Sequence, residues 1–268
     1  MVGMRVFELN NRMSWAPALP VEFFEPYKLG RYSEERIQNV MWKYLVRGQN
    51  CERAWVRINH HMPETLLGDQ KLDILEFSTA HGAMLEIWRA FGHNVVGTDY
   101  AWTAEEGATP KHKGVKKPWH GELLRDVKAK THEGTRGKIV PGWPYQPIIE
   151  SLDLDVRLFD GGERPYPFED KSFDVVCCFQ AIEAYSTPDG WLDTLREFCR
   201  ISRQSVVVGF NPLPVETAEN ADLIEASRQA WLHLQRFDEC GFRTSFFEIG
   251  QTRRGIHPTV CKLTAISG

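Results

Sequence analysis

The run Glu76-Phe77-Ser78-Thr79-Ala80-His81-Gly82 closes an apolar stretch with a turn that carries almost no side-chain bulk. Such a turn lets a ligand reach main-chain N–H groups where a helix begins. Asp99 closes the next apolar stretch, Val95-Val96-Gly97-Thr98. A carboxylate at the carboxyl end of a parallel strand accepts from both hydroxyls of a ribose. Together the turn and the acid point to a ligand that contains a sugar; a buried strand–helix–strand unit without a ligand is the bland alternative. His81, His112 and His120 are the candidate bases, each with an ordinary structural role as the competing reading. His60 and His61 are adjacent in a helical pattern, where neighbours face different directions, so no metal site is expected.

The elements that must hold these positions are legible in order. Residues 1–32 are broken by Pro17, Pro20 and Pro26 and read as an arm. A helix begins after Ser33 and stops at Gly48, and a second, with Ala54, Trp55, Ile58 and Met62 inward, ends at Pro63. Leu72–Phe77 is a strand, Met84–Phe91 a helix stopped by Gly92, and Val95–Asp99 a second strand. Residues 101–142 hold nine Lys and Arg against five Asp and Glu, a charge of about +4, and read as an insertion that closes as a lid. Further strands are expected at 156–159, 173–179, 205–210, 242–249 and 259–266. Helices are expected over the later half of 143–152, from Pro188, and over 216–238 with a stop at Gly241.

Alternating strands and helices imply an α/β, doubly wound, mostly parallel seven-stranded sheet. The closing pair has a short link and must be antiparallel. The expected organisation is an N-terminal arm and helices over 1–65 and the main domain over 66–268.

The chain has 268 residues, 42% of them hydrophobic, and a net charge of −4, enough for a sizeable core and no general case for nucleic acid or membrane. None of the six cysteines forms a CxxC pair, and Cys177 and Cys178 should point to opposite faces of one strand. With no signal peptide and no apolar run long enough for a membrane span, a soluble cytoplasmic protein is expected.

Three stretches resemble the class I S-adenosylmethionine-dependent methyltransferases, type 11-like. LEFSTAHG is similar to the family's strand-and-turn motif, Tyr166–Val176 to the Pro-Phe-acidic run before its fourth strand, and Glu239-Cys240-Gly241-Phe242 to the helix end before its sixth. The resemblance implies a Rossmann-like methyltransferase fold with S-adenosyl-L-methionine as cofactor. It places Glu76 at the methionine end, Ser78, Ala80 and Gly82 where three glycines make room, and Asp99 on the ribose. Tyr100 would lie near the adenine, Asp160 and Gly161 at its amino group, and Phe179 and Gln180 beside the methyl-bearing sulfur.

Two glycines of the motif are replaced by Ser78 and Ala80, which the turn tolerates if their φ stays negative. The Glu-His pair that often follows the fourth strand is Glu183 and Ala184, so no histidine base stands there. A dinucleotide fingerprint would need glycines at 78, 80 and 83, and none is present. Asn211-Pro212-Leu213-Pro214 follows the fifth strand without an aromatic residue and is read as a turn. The expected activity is methyl transfer to the oxygen or nitrogen of a small, anionic molecule such as a sugar or sugar nucleotide, with no nucleic-acid or membrane partner. The alternatives are a catalytically inactive binding or partner subunit, and a nicotinamide-dependent oxidoreductase. Oligomeric state and catalytic base are left open.

Overall fold

The computed structural model describes residues 18–38, 40, 44–101, 143–211, 221–252 and 255–266. The sheet is built from β1 (Asp73–Phe77), β2 (Asn94–Asp99), β3 (Val156–Leu158), β4 (Phe173–Phe179), β5 (Ser202–Gly209), β6 (Asp238–Glu239), β7 (Phe242–Thr252) and β8 (Gly255–Ala265). Its order is β3-β2-β1-β4-β5-β8-β7-β6. The five strands from β1 to β5 pair in parallel, and β7 and β8 return antiparallel. The expected fold is therefore present, with the two-residue β6 added to the seven expected strands.

β4 is buried along its whole length, as a central strand covered on both faces must be. Side-chain alternation sorts its residues: Val175 and Cys177 join the core beneath α2 (Arg47–His61), α4 (Ala83–Ala90) and α5 (Gln146–Ser151). Val176 and Cys178 join the opposite core beneath α7 (Pro188–Ile201) and α8 (Ala221–Gln235). The two adjacent cysteines thus face opposite ways, as expected. All six cysteines are free thiols, five of them buried.

The region before β1 packs into the same core. Short α1 (Glu34–Gln38) and a 3₁₀ turn at Val21–Phe24 precede α2, and α3 (Glu64–Leu67) follows it. Arg47 reaches Glu86 at the start of α4 through Nε at 3.0 Å and donates to the carbonyls of Glu22 and Glu25 at 2.8 and 3.0 Å. One guanidinium thereby fastens the 3₁₀ turn, α2 and α4 together.

Several boundaries differ from expectation. Gly48 lies inside the first turn of α2 rather than ending the preceding helix; a Cβ there would meet Phe24 Cδ1 at 2.7 Å. Gly241, at φ 75°, forms the turn between β6 and β7, and α8 has already ended at Gln235. Ile224 of α8 is exposed. Gly92 does stop α4, at φ 92°. The lysine-rich insertion, His112 and His120 lie outside the described residues. Among the described residues no helix is long and apolar enough to cross a membrane.

Candidate active site

The carboxyl ends of β1, β2, β3 and β4 meet along one edge of the sheet, and the strand exits carry the polar groups. Glu76 is 6% exposed and accepts from Thr79 Oγ1 at 2.6 Å. Burial pushes its carboxyl up to about 8, Thr79 and the nearby Arg57 charge oppose this, and the Asp99 charge adds to it. Asp99 accepts from the backbone N–H of Tyr100 at 2.8 Å, from the indole Nε1–H of Trp143 at 2.9 Å, and from the backbone N–H of Ala80. Burial outweighs these three bonds and raises its carboxyl to about 6.

The turn between them departs from what its residue types predict. Ser78 and Ala80 lie at φ 53° and 51°, and Gly82 at 70°. The expectation of negative φ at the two replacements is wrong: the chain keeps the left-handed path that glycine follows, with side chains present. A non-glycine residue there costs on the order of 1 kcal/mol. Part of the return at Ser78 is a short hydrogen bond between its hydroxyl and that of Tyr185. Ala80 has no such polar atom. Ala80→Gly is therefore expected to stabilise the fold by about 0.5–1 kcal/mol, read as a raised denaturant midpoint at unchanged slope; a lowered midpoint would show that the turn is not strained. At Gly82 the φ of 70° favours glycine, and an added Cβ would also press on the side-chain ends of Leu154 and Ile149, 2.6 and 2.7 Å away.

Tyr185 ties this turn to the exit of β3. It comes from α6 (Ile182–Tyr185), and a Cβ on Gly161 would lie 2.7 Å from its ring. Asp160 Oδ1 accepts from the N–H of Gly162 at 2.8 Å, and Tyr166 donates to the carbonyl of Gly161 at 2.8 Å. Gln180 leaves β4 at φ 58° with its N–H on the carbonyl of Gly209 at 2.7 Å. Beside it Glu183 is 1% exposed and accepts from Asn211 through the backbone N–H at 2.6 Å and Nδ2 at 3.1 Å. Burial lifts the Glu183 carboxyl to about 7 against those two donors. Asn211, read from sequence only as part of a turn, is thus the brace between the β4 and β5 exits.

The methyltransferase domain family profile matches residues 49–243. The chain belongs to that family. It is an S-adenosylmethionine-dependent methyltransferase, with that compound as cofactor. No curated protein matches the chain. Solved structures of similar fold include a magnesium protoporphyrin IX methyltransferase from Synechocystis PCC 6803 with S-adenosylhomocysteine bound. It is 10% identical, with 82% of this chain and 84% of that one covered and a TM-score of 0.44. Another is a Burkholderia thailandensis 1,6-didemethyltoxoflavin-N1-methyltransferase, 11% identical, with coverage of 81% and 78% and a TM-score of 0.41.

The methyltransferase brings Glu76, the Ser78–Gly82 turn, Asp99, Tyr100, Asp160, Gly161, Phe179 and Gln180 to one sheet edge. The chemistry of these groups fits the cofactor. Glu76 is buried with Thr79 as its donor, and half-buried Asp99 is raised by desolvation in spite of its three donors; each would gain from a further donor, and an ammonium group and two sugar hydroxyls are donors. His81 is placed differently from a free base: its Nδ1 accepts from the Ala83 N–H at 3.3 Å, and its ring lies 5.2 Å from that of Tyr44.

The sequence reading missed three residues. Trp143 holds Asp99, Tyr185 holds Ser78, and Arg57 of α2 reaches the β4 exit, donating to Gln180 Oε1 at 3.2 Å and lying 4.5 Å over the Phe179 ring. Each comes from an element remote in sequence from its partner, and no local pattern marks it. His60 and His61 also depart from expectation. Their rings lie 4.6 Å apart and nearly perpendicular, and both turn toward Glu248 of β7 rather than diverging.

Proposed function

We propose that the strand exits bind the methyl donor with Glu76 on the ammonium of its methionine end and Asp99 on its ribose hydroxyls. Ser78, Ala80 and Gly82 give the main chain its close approach. Tyr100, Asp160 and Gly161 border the adenine, and Phe179 and Gln180 border the sulfur. The observation that carries this reading is the pair of carboxyl groups, buried Glu76 and half-buried Asp99, flanking a turn of small side chains at adjoining strand exits. The bound donor supplies a methyl group on a sulfonium, open to displacement in line by an oxygen or nitrogen nucleophile. The chain's contribution is to align the two reactants and exclude water.

Arg57 completes the methionine end. Its charge offsets the burial of Glu76, and desolvation lowers the pKa of its own guanidinium. A cation and an acid so placed suit the two charges of an amino-acid group. Arg57→Met is expected to weaken S-adenosylhomocysteine binding roughly tenfold by calorimetry. Unchanged affinity would remove Arg57 from the donor site.

For the acceptor we infer a small, anionic molecule methylated on oxygen or nitrogen, with a sugar or sugar nucleotide as the class. The support is the cation excess of residues 101–142 in the sequence, including Lys111, Lys113, Lys116 and Lys117. Mass spectrometry of compounds that co-purify with the full chain tests this; a neutral or cationic acceptor would refute it.

A further inference from the structure

We propose that His60, His61 and Glu248 form a binding site for a divalent transition-metal ion of the zinc class. One candidate ligand atom from each lies within 4.8 Å of the other two. In a tetrahedral zinc site neighbouring ligand atoms are about 3.4 Å apart, from bonds of about 2.0–2.1 Å. The remaining gap is within reach of side-chain rotation. His60 Nε2 already lies 2.8 Å from Glu248 Oε1, and His61 Nδ1 is buried with no hydrogen-bond partner. Two imidazoles and one carboxylate are a donor set that suits zinc, cobalt or nickel and not calcium or magnesium.

The surroundings support the same assignment. Thr259 Oγ1 donates to Glu248 Oε2 at 2.5 Å, an outer contact that fixes the carboxylate while leaving its other oxygen toward the histidines. Among the described residues, the Lys and Arg charges that act on His61 are those of Lys262 and Arg57. Lys262 is neutralised by Glu64 at 2.5 Å while its Nζ also donates to the carbonyl of His61 at 3.2 Å. Arg57 is turned onto Gln180 and Phe179.

Sequence adjacency is no obstacle. α2 ends at His61, and Met62 leaves the helix at φ −139° and ψ 43°, so the two rings sit on its last open turn. The His61 ring lies 5.9 Å from that of Phe179, at the β4 exit. Three protein ligands leave a position for water or an oxygen of another molecule. On the donor-site reading above, the site lies beside the residue assigned to the methyl-bearing sulfur; the site itself does not depend on that reading.

Cobalt(II) is the probe. The full chain, stripped of metal with a chelator, is titrated with cobalt chloride, and its visible absorption is followed. Saturable binding of one ion is expected, and His60→Gln and Glu248→Gln should each weaken it roughly tenfold or more. Cys240→Ser, which removes the exposed thiol, should leave it unchanged. S-adenosylhomocysteine affinity, measured in parallel, should stay unaltered in all three variants, so failure of the metal site is distinguishable from failure of the donor site. Absence of a cobalt band in the parent protein, or unchanged uptake in the His60 and Glu248 variants, overturns the proposal. Should those variants not fold, X-ray absorption of the cobalt-loaded parent decides: imidazole and oxygen ligation supports the site, and sulfur ligation overturns it.

Discussion

Asp99→Ala is expected to weaken S-adenosylhomocysteine binding by about 100-fold, the loss of two hydrogen bonds to a charged acceptor at about 1.5 kcal/mol each. Substitution removes the acceptor and also strips the Trp143 indole and the Ala80 and Tyr100 amides of their partner, so folding must be read beside binding. Asp99→Asn separates the two effects. It keeps the volume and one of the two accepting oxygens, so it should lose most of the ligand affinity but less stability than alanine, with either the Trp143 indole or the Tyr100 amide left without its acceptor. Calorimetry on both variants, with the thermal midpoint as control, checks the result. If either variant binds like the parent protein, the ribose is not held at the β2 exit and the donor site has been placed wrongly.

Donor binding should depend steeply on pH, with a sign fixed by Glu76. Its carboxyl is raised to about 8 by burial, so near neutrality the ligand-free protein holds it mostly protonated. Only the ionised form can accept the ammonium of the methionine end. Binding therefore expels a proton, and affinity rises with pH until the carboxyl is already ionised. Between pH 6 and pH 8 the expected gain is roughly 50-fold, from a single group titrating near 8. Asp99, raised to about 6, adds to the loss at the acid end. Calorimetry in buffers of different ionisation heat should show release of nearly one proton at pH 7. Glu76→Gln should abolish that release and flatten the profile. Parent protein with flat affinity across the range would mean that Glu76 does not meet the ammonium.

Much of this was legible in the chain. β4 is found with both ends where its apolar run places them, because a strand buried on both faces needs an uninterrupted apolar sequence. The adjacent Cys177 and Cys178 sorted correctly because a strand's side-chain period is two. Gly48 misled because a glycine early in a helix, required by the approach of Phe24, has the same letter as a helix stop. The φ of Ser78 and Ala80 could not be inferred from residue type: the turn's path is dictated by β1, α4 and the Thr79–Thr98 main-chain bond, and local preference yields to it. Arg57, Trp143 and Tyr185 were illegible for a different reason. Each acts across the fold, and sequence carries no register between α2, the segment before α5, or α6 and the strand exits they serve.

The indole of Trp143 rests on the acid assigned to the sugar hydroxyls. An occupant of that place must share or displace it, and an indole that loses a charged neighbour changes its emission. The protein thus carries a fluorophore at the proposed ribose position, and the change in emission of Trp143, one of nine tryptophans, can report without any label whether the donor has arrived.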